Sequence, residues 1–132
     1  HLDSAGYSFD QKTAVSSTTP EDVAAALLKE ERWRQALTSL SVCLFARGIY
    51  TPDVVTRALE AAGFGWGCSE LEQMGIETLR RKNAFKQRQG FDFSSLRLPR
   101  RIFETPAPAG AFDEAFMRRA IAYFAEHVTP RR

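Results

Sequence analysis

Apolar residues recur at helical spacing in four stretches of the chain. In the first, Val23, Ala26, Leu27, Trp33, Leu37 and Leu40 share one side, and Lys29, Glu30, Glu31, Arg32 and Arg34 supply the wet face. Thr19-Pro20-Glu21-Asp22 opens it with a capping hydroxyl, a proline at the first helical position and acids in the first turn. The pattern runs on through Leu44 and Phe45 to Gly48. Thr38-Ser39-Leu40-Ser41 is its expected break, because hydroxyls compete for backbone hydrogen bonds; one helix or two is open at this point.

Thr51-Pro52-Asp53 repeats the start signal ahead of Val54, Val55, Ala58, Leu59 and Ala62, and Gly63 marks the stop. Ser69 with Glu72 offers a capping box for a long polar helix through Leu71, Met74, Leu79 and Phe85. Gly90 can end that helix in a left-handed residue, with Phe91 folding back as an apolar clasp. The last helix begins at Asp113, carries Phe116, Met117, Ala120, Ile121 and Phe124 on one stripe, and stops at Thr129-Pro130.

Between these stretches lie an irregular lead-in over residues 1–19, a glycine-rich loop from Phe64 to Cys68 with two aromatic anchors, and a strap from Asp92 to Pro108. The three prolines of the strap are expected to exclude helix and to disfavour a central strand. No segment alternates with period two. The predicted fold is all-α: one domain over residues 1–132 with four to five helices, mostly antiparallel and bundle-like, and an extended proline-containing strap before the last.

Composition narrows the function classes. A chain of 132 residues with 44% hydrophobic and 26% charged residues can build one packed core. Its net charge of +2 leaves no nucleic-acid footprint. Arg80, Arg81, Lys82, Lys86, Arg88, Arg97, Arg100 and Arg101 are balanced by acids and read as a solvated face with ion pairs. The absence of a long apolar run or signal-peptide pattern predicts no membrane span and no export. Two cysteines make no disulfide framework and suit a reducing cytoplasm. The chain opens at His1 with no capping or turn logic, which suggests a C-terminal piece of a longer protein.

Candidate chemistry rests on few residues. Read from the residues alone, Cys43 in its apolar stretch is a buried core thiol. Cys68 is a loop thiol beside the aromatic anchors, His1 a solvated terminal group, and His127 a histidine near a helix end, where partial positive charge is welcome. There is no phosphate-binding loop, dinucleotide fingerprint, zinc-spaced cysteine set or serine nucleophile elbow.

The run from Met74 to Phe91 and the following Leu98-Pro99-Arg100-Arg101 resemble the C-terminal region of the aldehyde ferredoxin oxidoreductase family of tungsten- or molybdenum-pterin enzymes. Aligned without a gap, the chain keeps that family's Gly75, Phe85, Arg88, Gly90 and Phe91, then Leu98, Pro99 and Arg101, and departs at Ile76, Glu77 and Gln89. Upstream of this run the family carries an Asp-x-x-Gly-Leu-Cys motif. Its cysteine matches Cys43, while Thr38, Ser41 and Val42 stand where the family has the acid, the glycine and the leucine.

The resemblance implies that Cys43 ligates a four-iron four-sulfur cluster and that Thr38, Ser41 and Val42 lie at a pterin cofactor. A hydroxyl at Thr38 can donate where a carboxylate only accepts. The family's other three cluster cysteines come from a run far upstream that this chain lacks, so no cofactor is expected on the isolated piece and no activity from it. His1 stands about as far before Cys43 as the family's metal-proximal histidine, and the resemblance makes it a catalytic proton donor or acceptor. The whole enzyme would oxidise an aldehyde to a carboxylate and pass electrons to ferredoxin, with the remaining domains of the same polypeptide as its other partners. The alternative is a free-standing helical interaction module in which Cys43 is core and the basic helix meets an acidic partner.

Overall fold

The computed structural model describes residues 18–43, 46, 48–105 and 113–129. Among them the chain is all-α: α1 (Pro20–Ser39), α2 (Pro52–Ala61), α3 (Cys68–Arg88), α4 (Arg101–Glu104) and α5 (Glu114–Val128), with a 3-10 turn at Phe93–Ser95 between α3 and α4. Most of the lead-in, together with Leu44, Phe45 and the strap beyond Thr105, lies outside the described residues.

Three helix starts are those the sequence announces. The Thr19 hydroxyl oxygen accepts from the Asp22 amide at 3.1 Å, and Pro20 takes the first helical position of α1. Thr51 accepts from the Val54 amide ahead of Pro52, and Asp113 accepts from the Phe116 amide at 2.6 Å. The fourth start differs from expectation. Gly67 is the capping residue of α3, and the Glu70 carboxylate, three positions on, accepts from the Gly67 amide at 2.9 Å and from the Ser69 hydroxyl. Ser69 and Glu72 already lie inside the helix, so they cannot form the box. Glu70's own backbone amide and then these two partners hold its carboxyl below the usual carboxylate range.

The ends of α1, α2 and α3 share one geometry. In α2 the Gly63 amide donates to the Glu60 carbonyl at 2.9 Å and the Phe64 amide to Leu59 at 2.8 Å. In α3 the Gly90 amide donates to Gln87 at 2.9 Å and the Phe91 amide to Lys86 at 3.0 Å. Both glycines have φ of +87°. In α1 the Ser41 amide donates to Thr38 and the Val42 amide to Leu37, each at 3.0 Å. These paired bonds close a helix only when the residue between them is left-handed. At α1 that residue is Ser41, with φ of 58°, and no other described non-glycine residue has a positive φ. Thr38 and Ser39 donate their hydroxyls to the Arg34 and Gln35 carbonyls at 2.8 Å, so the expected break falls where the hydroxyls cluster and α1 is one helix.

Contacts gather into two compact units, one of His1–Lys29 with Asn83–Arg132 and the other Glu30–Lys82. The Glu30–Lys82 unit is built on Leu37 of α1, Val55 of α2 and Leu71 of α3, with Trp33, Leu40, Val42, Tyr50, Leu59 and Met74 packed around them. Each such side chain taken fully from water contributes roughly 1.5–3 kcal/mol. Gly75 sets how close α3 comes to α1: a Cβ there would overlap the Arg32 carbonyl oxygen and stand 2.9 Å from its carbon.

Two details of this unit depart from the sequence pattern. Arg34, assigned to the wet face, is 5% exposed. Its Nε donates to Glu30 Oε1 at 3.1 Å, so the charge enters the interior with a partner one turn back. Phe64 and Trp66, expected as anchors, are exposed.

In the other unit Arg119 pairs with Glu21 at 2.9 Å, Arg118 donates to the Leu96 carbonyl at 2.9 Å, and the buried Asn83 amide donates to the Val128 carbonyl at 3.3 Å. Phe93 of the 3-10 turn stacks edge-on against Phe91 and faces Phe124 of α5. The strap therefore is not wholly extended. Pro99 lies just before α4 rather than inside it, where its carbonyl accepts from the Ile102 amide, and a proline ahead of a first turn does not prevent one. Phe85, read as an apolar-face residue of α3, is 57% exposed with the Arg88 guanidinium over its ring.

Two stability changes follow from these backbone features. Gly75→Ala gains about 1 kcal/mol of helix propensity but overpacks against a backbone carbonyl, which costs about 3 kcal/mol. Urea denaturation should show a net loss of about 2 kcal/mol, whereas a gain would mean that α3 and α1 are not in close contact there. Ser41→Gly relieves a left-handed side chain worth about 1–2 kcal/mol and loses part of that to chain entropy. It should raise stability by about 0.5–1 kcal/mol, and a loss would mean that Ser41 is not left-handed.

Candidate functional site

The segment that follows α1 carries three of the four residues that the resemblance assigns to cofactors, and the fourth, Thr38, lies in the last turn of α1. Ser41 turns the chain, Val42 is half-buried and packs on the Leu37 cluster, and Cys43 is exposed as a free thiol. A left-handed residue followed by an inward valine leaves the next side chain on the outside. The Cys43 carbonyl then accepts from the Ala46 amide at 3.0 Å, so the backbone is tied on both sides of the sulfur. The core-thiol reading of Cys43 is corrected by this exposure.

Thr38 stands one turn earlier and is exposed. Its hydroxyl proton is engaged by the Arg34 carbonyl at 2.8 Å, which leaves the oxygen's lone pairs as what it offers outward. In hydrogen-bond polarity it therefore matches a carboxylate, which only accepts. Ser41 is exposed and Val42 directs its side chain inward. His1 lies outside the described residues.

The other candidates take structural places. Cys68 is the first residue of α3 rather than a loop thiol, and it is exposed. His127 sits in the last turn of α5, half-buried, with Nδ1 2.7 Å from the Tyr123 carbonyl oxygen and its ring stacked on Tyr123. A groove of about 660 Å³ runs along α3 between Trp66, Glu70, Gln73, Met74, Glu77 and Arg81. It holds neither thiol nor imidazole, and Glu77 is engaged with Gln73 at 3.2 Å and Arg81 at 3.7 Å. Among the described residues no helix is long and apolar enough to cross a membrane.

A four-iron cluster takes four thiolates, and the whole chain has two cysteines. Among the described residues no three His, Cys, Asp or Glu side chains converge on a point that could hold a metal ion. Cys43 fits such a group as a single ligand: an accessible sulfur on a restrained backbone. The outward presentation of Cys43 depends on the positive φ of Ser41, which the sequence signals only through the glycine at that place in the resembling motif.

No curated protein and no solved structure matches the chain. The family model described as aldehyde ferredoxin oxidoreductase, domains 2 & 3, matches residues 1–128, well beyond the helix and strap that first carried the likeness. With nearly its whole length accounted for in this way, the chain belongs to the aldehyde ferredoxin oxidoreductase family.

Proposed function

We propose that this chain is the C-terminal helical part of an oxidoreductase that converts an aldehyde and water to a carboxylate, three protons and two electrons, the electrons leaving through a four-iron four-sulfur cluster to ferredoxin. When bound, a tungsto- or molybdopterin supplies the two-electron redox chemistry and the cluster supplies one-electron transfer. The observation that carries this reading is the exposed sulfur of Cys43 directly after the closed end of α1. It supplies one cluster thiolate, and the other three come from the remaining domains of the same polypeptide, so the isolated chain is inactive and holds no cluster.

The chain's own groups bind and orient. Thr38 would offer a pterin an acceptor only, because its proton already belongs to the Arg34 carbonyl. Ser41 and Val42 form the backbone turn that would lie beside the cofactor, with the valine side chain facing the protein interior. His1 donates or accepts the proton at the aldehyde oxygen, a task to which an imidazole is suited. Ile49, Val54, Phe64 and Trp66 are each exposed, and large apolar side chains left in solvent suit surfaces that the other domains would cover. A free-standing module with Cys43 as core filler does not fit the exposed thiol.

The full-length polypeptide, purified without oxygen, should lose its cluster absorbance and most of its cluster iron when Cys43→Ala is introduced. Cys68→Ala should keep both. Iron content unchanged by Cys43→Ala contradicts the assignment.

A further inference from the structure

We propose that Val42 is the positioning residue for the Cys43 sulfur, acting with the left-handed Ser41 as a clamp that aims the thiol outward before any metal arrives. The inference rests on the ligand reading given above and adds the device that serves it. Four observations meet at this point. The Val42 amide is bonded back to the Leu37 carbonyl at 3.0 Å. The Val42 side chain packs on the cluster of Leu37, Val55 and Leu71. Ser41, between them, has the φ of 58° that this closure demands. On the far side, the Ala46 amide at 3.0 Å ties down the carbonyl of Cys43 itself.

An accessible cysteine on a surface segment ordinarily keeps its backbone freedom and must be ordered when it binds. Here the backbone is restrained by hydrogen bonds before and after the residue, while the side chain stays in solvent. Such a thiol presents a fixed Cβ direction and enters a metal bond with little ordering left to do. Val42 touches neither metal nor substrate in this account; it acts through the backbone of its neighbour.

The test attaches a nitroxide spin label to Cys43 in the Cys68→Ser chain and, separately, to Cys68 in the Cys43→Ser chain. In the chain with native Val42 the Cys43 label should report hindered motion. Val42→Ala should raise its mobility several-fold, Val42→Ile should restore the hindered state, and the Cys68 label should respond to neither change. A Cys43 label that already tumbles freely with Val42 in place, or that ignores Val42→Ala, overturns the proposal. So does equal mobilisation of the Cys68 label, which would mean a general loosening of the helical unit. In the anaerobic full-length polypeptide, Val42→Ala should shift the cluster's reduction potential while most iron is retained; an unmoved potential overturns the clamp's functional role. Failure of the ligand reading is seen separately, as retention of iron in Cys43→Ala whatever the labels report.

Discussion

At the end of α1 the amide of Val42 reaches back to the carbonyl of Leu37, and that bond exists only if the intervening Ser41 takes a left-handed backbone. Everything proposed for function depends on this closure. It ends the helix, sends Val42 into the core and leaves Cys43 outside. Without it the apolar pattern would carry α1 onward, and the periodicity that buries Leu37 would decide where the thiol points. The same closure ends α2 and α3 with glycine, where it is cheap. At α1 a serine bears it, and the cost is carried by the packing of Val42 against the core cluster.

Three helix starts and two of the three shared stops were legible because their chemistry is local. Thr19, Thr51 and Asp113 cap over three residues, and Gly63 and Gly90 announce a left-handed turn by their identity. Ser41 announces nothing, since serine is common in any turn; the glycine of the resembling motif was the available clue. The start of α3 was misread because two acid-hydroxyl pairings compete there, and backbone geometry selected Gly67 with Glu70. Gly75 was legible as a retained residue but not as a contact, because close approach of two helices is a tertiary fact. Arg34 escaped the pattern for a related reason: periodicity assigns a charge to solvent, whereas a carboxylate one turn away lets it go inside.

On the proposed reading, one helical piece needs to carry little of a redox centre. Its chemistry reduces to one sulfur, one hydroxyl oxygen whose proton is already engaged, and a backbone turn. Exchanging a carboxylate for Thr38 removes a charge but keeps the acceptor, because the Arg34 carbonyl takes the donor away. The polarity of a side chain toward a ligand is thus set by what its own helix demands of it first. Membership of the aldehyde ferredoxin oxidoreductase family supplies the context in which such a sparse set of groups is useful.

The central claim is that the native fold, rather than unfolding, exposes the Cys43 sulfur. The direct measurement is the rate at which a maleimide modifies Cys43 in the Cys68→Ser chain, compared under native conditions and in denaturant. The account predicts native and denatured rates of the same order, with the protein remaining helical after modification. Native protection by several orders of magnitude, lifted only on unfolding, would contradict it.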